Sequence, residues 1–529
     1  MKHKSLDLSK TALGIELGST RIKAVLIDEF HSPVAHGEFE WENRFENGVW
    51  TYPLEDVWTG IQAAYQQISQ EIATKFEIPL TTVGSIGFSA MMHGYLPFDS
   101  KGNLLTPFRT WRNTNTKMAA ERLTELFQFN IPLRWSVAHV YQAILDNEAH
   151  IHDIDFITTL AGYVHWKLTE HKVIGIGDAA GMFPIEKHTN NYNQEMLQSF
   201  QELVDSQNVS ITLEDCLPKV LLAGDQAGSL TEEGAKMLDP SGTLQPGVPL
   251  CPPEGDAGTG MVATNTVKEH SGNISAGTSI FSMIVLDRDL HNYYKEIDIV
   301  TTPDGKPVAM VHCNNFTSDI NEWTNVFKEF AEAIGVELSQ QALFTTLFQE
   351  ALKAESNVGD IVHCNYYSGE PITGLDQGRP LFARMPDSNF NLANFMRSQI
   401  YSAIATLEIG MEILTQKEKV QIEFLLGHGG FFKTEKIGQQ MMADALKIPT
   451  SVMKTAGEGG PWGMSLLAAY MNHKSNDQML ASYLEQNVFN QESLTTTNPE
   501  KEGMQSFEAY LKRYKKMLNV EKAAVQYLN

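Results

Sequence analysis

The chain has 529 residues, 42% of them apolar and 20% charged, the proportions of a soluble globular protein with two or more large domains. Its formal net charge of −24, with no basic run to offset it, excludes a general attraction for nucleic acid or anionic lipid. An anionic nucleotide would have to be held by local donors and a metal ion.

No run of about 18 apolar residues is present to span a membrane, and the opening MKHKSLDLSK lacks the apolar stretch of a secretory signal. Four scattered cysteines (Cys216, Cys251, Cys313, Cys364), with no C-x-x-C pair, argue for a reducing cytoplasm and against a structural zinc site.

Residues 13–28, LGIELGSTRIKAVLID, predict a strand, a Gly18-Ser19-Thr20 turn and a second strand, with alternation at Ile22, Ala24 and Leu26. Residues 54–75 predict a helix with Ile61, Tyr65, Ile68 and Ile72 on one stripe. VGSIGFS at 83–89 reads as a buried strand that delivers Met91-Met92-His93-Gly94 to its C-terminal end. A turn at 99–103 follows, then Thr110-Trp111-Arg112-Asn113. Ligands of open α/β sheets bind beyond strand C-termini, so this is a natural substrate edge. Read alone, His93 is better taken as a surface-loop histidine, and Trp111 could equally be a packed core aromatic.

Residues 117–128 and 141–170 predict helices. VIGIGDAAG at 173–181 contains G-x-G-x-x-A, the outline of a dinucleotide fingerprint. A true fingerprint closes the first strand of a βαβ unit and opens a helix. Here the run follows a helical segment and continues into MFPIEK, so the dinucleotide reading fails. A P-loop is excluded because no G-x-x-x-x-G-K-[ST] occurs. Residues 217–250 read as turns leading into CPPEGDAGTG at 251–260, where Asp256 stands between Gly255 and Gly258. An acid on an open turn, near a turn that presents backbone N–H groups to phosphate, suits transfer to a hydroxyl. An ordinary Asp-Gly loop is the alternative.

ISAGTSIFSMIVLD at 274–287 repeats the first hairpin. Gly277-Thr278-Ser279 lies over Gly18-Ser19-Thr20, and Asp287 over Asp28, at a common offset of 259 residues. The pattern is a weak internal duplication, predicting two related domains that each open with a phosphate-facing turn. Strands such as PVAMVHC then alternate with helices near 320–334, 340–355 and 391–416. Residues 424–452 predict a buried strand, a turn at Gly427/Gly429/Gly430 able to take a flat heterocycle, and a helix with Ile437, Met441 and Leu446 inward. GEGGPWG at 457–463 opens another helix, and the tail from 476 reads as polar and helical.

Seven motifs therefore stand in order: GIELGST, SAMMHGYLPFD, TWRNTNT, EGDAGTG, SAGTS, GHGGFFKTEKIGQQMMADAL and GEGGPWG. Over roughly residues 13–470 they resemble the FGGY carbohydrate kinases, within the actin/hexokinase/Hsp70-type ATPase superfamily. The resemblance implies an α/β protein of two ribonuclease-H-like (actin-type ATPase) domains with a central cleft that closes on substrate. Residues 1–265 would form the sugar-binding and catalytic domain, and 266–529 the nucleotide-binding domain with its helical tail. It implies transfer of the γ-phosphoryl of ATP to a sugar hydroxyl with Mg²⁺. Asp256 would be the general base, and Gly18, Ser19, Thr20, Gly277 and Thr278 would hold the phosphates. Gly429 and Gly430 would flank adenosine. Met92, His93 and Gly94 resemble the xylulokinase sugar contact and place a ketopentose, xylulose or else ribulose, beside His93, Trp111 and Asp256. A homodimer is compatible with the family.

Two departures stand out. The first turn usually carries Asp where this chain has Glu16, which puts Glu16 in doubt as a metal residue, although Mg²⁺ sites keep waters that absorb a small displacement. The sugar motif commonly ends W-N-D-x-R, while here it reads Trp111-Arg112-Asn113-Thr114-Asn115, which leaves the choice of sugar open. A kinase of another sugar or polyol (a hexulose, gluconate, glycerol) and a non-sugar ATPase or binding protein of the same superfamily remain as alternatives.

Overall fold

The computed structural model describes residues 6–207, 209–434, 437–453, 459–490 and 494–528. The chain divides into two compact units. One is Met1–Lys268 with Ile299–Val308 and Thr455–Gln491; the other is Glu269–Asp298 with Ala309–Lys454 and Glu492–Asn529. A single cut at 265/266 therefore misses two returns of the chain to the first unit, at 299–308 and 455–491. Among the described residues no helix is long and apolar enough to cross a membrane.

In the first unit, β1 (Ala12–Leu17), β2 (Arg21–Ile27), β3 (Pro33–Glu40), β4 (Ser85–Ala90) and β5 (Glu254–Gly255) form a sheet of order β5-β4-β1-β2-β3. β1 runs antiparallel to β2 and parallel to β4, and β4 runs parallel to β5. Helix α1 (Leu54–Phe76) buries Val57, Ile61, Ala64, Tyr65, Ile68 and Ile72, the stripe expected from the spacing, and ends where Glu77 turns left-handed at φ 59°. Each fully buried aliphatic side chain of this kind contributes about 1.5–3 kcal/mol.

The segment 141–170 is not one helix. Helix α2 (Lys117–Phe127) is followed by α3 (Ser136–Leu145), which stops before Asn147 at φ 54°. Phe156–Thr158 then pairs antiparallel with Leu96–Phe98 before α4 (Leu160–Thr169) begins. Aromatic packing selects the extended form there: Phe98 stacks on Tyr163 at 5.6 Å, and Phe156 meets Trp166 edge-on at 5.3 Å. The turn-rich stretch 217–250 also holds a helix, Glu232–Leu238, whose buried Gly234, Ala235 and Leu238 face the core.

In the second unit, which takes in β8 (Pro307–Cys313) from Ala309 onward, β6 (Ser271–Ala276), β7 (Ile280–Val285), β8, β9 (Phe424–His428) and β10 (Thr450–Met453) follow the order β8-β7-β6-β9-β10. This is the first sheet's order again, β3-β2-β1-β4-β5, with the same hairpin and the same parallel neighbour. The two turns differ by one residue. Leu17 pairs with Ile22 in the first hairpin, whereas Ala276 pairs with Ile280 in the second. The tail is not purely helical, because β11 (Leu494–Thr497) pairs antiparallel with β10 at the sheet edge. Helix α11 (Lys501–Tyr527) then closes over α8 (Leu392–Glu412), with the Tyr510 hydroxyl donating to Ser398 O at 2.9 Å.

Candidate active site

Asp256 opens helix α6 (Asp256–Ala263), directly after the two-residue strand β5. A carboxylate is favoured at a helix N-terminus by the peptide dipoles. The residue is exposed, and its Oδ1 accepts the backbone N–H of Met92 at 3.1 Å. The protein packed behind the carboxyl pushes it up to about 6, opposed by the N–H groups of Met92 and Ala257 and its own. β4 and β5 are adjacent parallel strands, so their C-terminal ends bring Met92 and Asp256 together.

Met92-His93-Gly94 follows β4 with two consecutive left-handed residues, His93 at φ 72° and Gly94 at φ 99°. A Cβ on Gly94 would lie 2.7 Å from Phe108 and 2.9 Å from Arg109 O, so only glycine fits. The Gly94 carbonyl accepts the Ser136 hydroxyl at 2.6 Å, and its N–H reaches Arg134 O at 3.3 Å. His93 is 6% exposed, so it is not a surface-loop histidine. Its ring lies parallel to Trp135 at 6.4 Å, and Nδ1 stands 3.4 Å from Gly181 O.

Trp111, 38% exposed, is not a packed core aromatic. The neighbouring residues of its motif are engaged elsewhere. Arg112 lies over the Trp50 ring at 3.8 Å, and Asn113 Nδ2 donates to Trp50 O at 2.7 Å.

Glu16 is the last residue but one of β1, opposite Ser89 of the parallel strand β4. Its carboxyl faces the Thr259 hydroxyl of α6 at 3.5 Å and packs on Gly460, the second residue of α10 (Gly459–His473). Loss of water, then the charge of Asp256, push it up to about 8. This is a hard-oxygen setting of two carboxyls and a hydroxyl, chemically suited to Mg²⁺. Among the described residues no group of three or more His, Cys, Asp or Glu could hold a metal ion, so a metal here would take most of its ligands from water and phosphate. α10 reaches this place because Gly14 and Gly463 lack side chains: a Cβ on either would strike Pro461 O or Thr259 O. Gly457 and Glu458 of the same motif lie outside the described residues.

At the first glycine turn, the carbonyls point into the protein. Gly18 O accepts the Trp41 indole N–H at 2.7 Å, Ser19 O accepts the Tyr52 hydroxyl at 2.6 Å, and Thr20 O accepts the Trp41 backbone N–H at 3.1 Å. Trp41 and Tyr52 stack at 4.2 Å. Ser19 and Thr20 are exposed. Carbonyls held inward leave the outer side of such a turn to N–H and hydroxyl donors. The aromatic pair had no local signature, being 23 and 33 residues from its acceptors.

The second turn, in the second unit, is built alike. Thr317 Oγ1 donates to Gly277 O at 2.7 Å, and Phe316 N–H donates to Thr278 O at 3.1 Å. Gly429, at φ 101°, sits against Ala276 O, where any side chain would collide, and Gly430 faces open space. Gly277, Thr278, Gly429 and Gly430 are all exposed and adjoin one another. Gly427 is different: it lies under the Phe432 ring and serves packing.

Residues 11–262 match the family described as FGGY family of carbohydrate kinases, N-terminal domain, and residues 272–472 match its C-terminal domain. A xylulose kinase of Haemophilus influenzae is 20% identical over 483 residues, covering 88% of this chain and 92% of its own. The crystal structure of a ligand-bound xylulose kinase from Lactobacillus acidophilus superposes with a TM-score of 0.80 at 16% identity, over 98% of this chain and 100% of that one. A gluconate kinase from the same organism gives 0.78 at 17% identity, over 96% and 98%.

Proposed function

The chain belongs to the FGGY family of carbohydrate kinases, and on that premise we propose that it phosphorylates a ketopentose, xylulose before ribulose, with Asp256 as general base and Mg²⁺ as the metal. The observation that carries this reading is the bond from Met92 N–H to Asp256 Oδ1, which ties the base to the loop bearing His93 and Gly94. With Oδ1 so held, Oδ2 takes the proton from the attacking hydroxyl. The hydroxyl oxygen then bonds to the γ-phosphorus as the bond to the bridging oxygen of ADP breaks. A carboxyl near 6 is ionised at neutral pH yet basic enough to accept a proton. Phosphoryl transfer has a loose transition state, so placing the hydroxyl matters as much as deprotonating it.

Exposed donors at Ser19 and Thr20 in the first unit, and at Thr278 in the second, suit phosphate oxygens, while Gly18 and Gly277 shape those turns with their N–H groups closed on Arg21 O and Ser279 O, and Gly429 and Gly430 suit the adenosine. Glu16 would hold the metal through its water shell, and Mg²⁺ when bound neutralises charge on the phosphates. Xylulose leads because Met92-His93-Gly94 is shaped as a buried, left-handed loop beside the base, and because relatives of similar length are xylulose kinases.

The second reading is another sugar or polyol, such as a hexulose, gluconate or glycerol. It draws on Asn113, whose amide is consumed by Trp50 rather than offered to a sugar, and on the gluconate kinase of similar fold. A coupled assay of ADP formation across D- and L-pentuloses, gluconate and glycerol tests both. The proposal expects a pentulose to give the highest kcat/KM; a gluconate or glycerol maximum overturns it.

A further inference from the structure

The run 173–181, which outlines a dinucleotide fingerprint without being one, packs against both functional loops of the first unit. Gly175 N–H donates to Pro253 O at 2.8 Å. A Cβ on Gly175 or on Gly177 would collide with the Glu254 carboxylate, which fills the space those side chains vacate. Glu254 is 1% exposed. Its Oε1 accepts Gly177 N–H at 3.2 Å, and its Oε2 accepts the N–H of Gly255 at 3.3 Å. At the far end of the run, a Cβ on Gly181 would lie 2.6 Å from His93 Nδ1.

Between them sits Asp178 in α5 (Ile176–Ala179), 1% exposed. Its Oδ2 accepts the Thr159 hydroxyl at 2.6 Å, while Oδ1 is buried without a hydrogen-bond partner. That oxygen faces the next peptide of the base loop: a Cβ on Gly255 would be 3.3 Å from it and would collide with the Met92 side chain.

We propose that Glu254 and Asp178 are positioning residues for phosphoryl transfer. Glu254, seated in the notch of Gly175 and Gly177, fixes the Gly255–Asp256 peptide, and Asp178 backs Gly255 against Met92. One short element thus sets the base and the sugar-side loop relative to each other. The inference rests on Asp256 being the base. Electrostatics agree with the geometry. Burial, then the charge of Asp178, push Glu254 up to about 8, and burial, then the charge of Asp256 against the Thr159 hydrogen bond, leaves Asp178 at about 7. Asp256 is the most acidic of the three and carries the charge first.

The test uses the full-length enzyme with its best sugar, comparing Glu254→Ala, Glu254→Gln, Gly177→Ala and the double variant Gly177→Ala/Glu254→Ala. Misplacing a catalytic group by about 1 Å costs on the order of 10²-fold. Glu254→Ala and Gly177→Ala are therefore expected to lower kcat by about 10–100-fold with the KM for ATP unchanged. The double variant should be no slower than Glu254→Ala alone, because both lesions act on one seat. Glu254→Gln, which keeps the acceptor for Gly177 N–H, should recover most of what alanine loses.

A wild-type kcat for Glu254→Ala, multiplicative losses in the double variant, or equal loss in the alanine and glutamine variants would each overturn the inference. If Gly177→Ala does not fold, the two Glu254 variants decide alone. Asp256→Asn is the control: if it turns over normally, the base assignment falls, whereas an inactive Asp256→Asn with a fully active Glu254→Ala removes only the positioning role.

Discussion

The backbone N–H of Met92 donates to Asp256 Oδ1 at 3.1 Å across 164 residues of sequence. Two neighbouring parallel strands make this possible by ending at the same level: Ala90 closes β4 opposite Gly255 of β5. The acid and the loop beyond β4 are thereby tied to each other.

Asp256→Asn keeps an oxygen for the Met92 N–H while removing the proton acceptor. Turnover should fall by about 10²–10⁴-fold, the usual contribution of a positioned base. Sugar and nucleotide affinities measured by titration calorimetry should stay within about threefold, because uniform binding is untouched. Near-normal ADP release from this variant would mean that another group takes the proton.

The pH profile should carry the environment of the base. Asp256 is raised from 3.8 to about 6, first by loss of water, so it is ionised above that value and protonated below it. The kcat/KM should fall about tenfold per pH unit below 6. An acid limb centred near 4, the value of a solvated aspartate, would contradict the raising of this exposed residue by the protein packed behind its carboxyl.

Tyr52→Phe deletes one hydroxyl, the donor to Ser19 O at 2.6 Å, and leaves the stack with Trp41 in place. Stability should drop by about 1 kcal/mol, the net value of such a bond. The KM for ATP should rise severalfold with the sugar KM unchanged, since the freed carbonyl can turn toward the phosphates. An unchanged KM for ATP in steady-state assays would show that the first turn does not need the clasp.

Gly429→Ala meets two obstacles at once, the left-handed φ of 101° and the carbonyl of Ala276. Strained positions of this type cost about 1–3 kcal/mol. Nucleotide affinity should fall by about tenfold or more while sugar binding persists. Equal nucleotide binding by the variant, read by calorimetry, would remove Gly429 from the adenosine site.

Much of the fold was legible because its signals are local. The α1 stripe of Ile61, Tyr65, Ile68 and Ile72 needs only helical periodicity, and the Gly18 and Gly277 hairpins need only alternation around a glycine turn. The repeated strand order of the two sheets bears out the duplication read from those hairpins, although the second turn is one residue shorter. Residues 141–170 failed as a single helix because Phe98, Tyr163 and Trp166 reward an extended Phe156–Thr158 more than helical propensity opposes it.

From the sequence alone come the order of the motifs, the two glycine turns and the acid flanked by glycines, since each depends on residues within a few positions of one another, although the turn expected around Asp256 is the first turn of α6. Only the tertiary structure decided which distant groups serve them. Trp41 and Tyr52 hold the first turn, Gly14 and Gly463 let α10 settle beside Glu16 and α6, and Gly175 and Gly177 seat Glu254. Their positions depend on close packing between segments far apart in the chain, and that complementarity of shape exists only once the chain has folded.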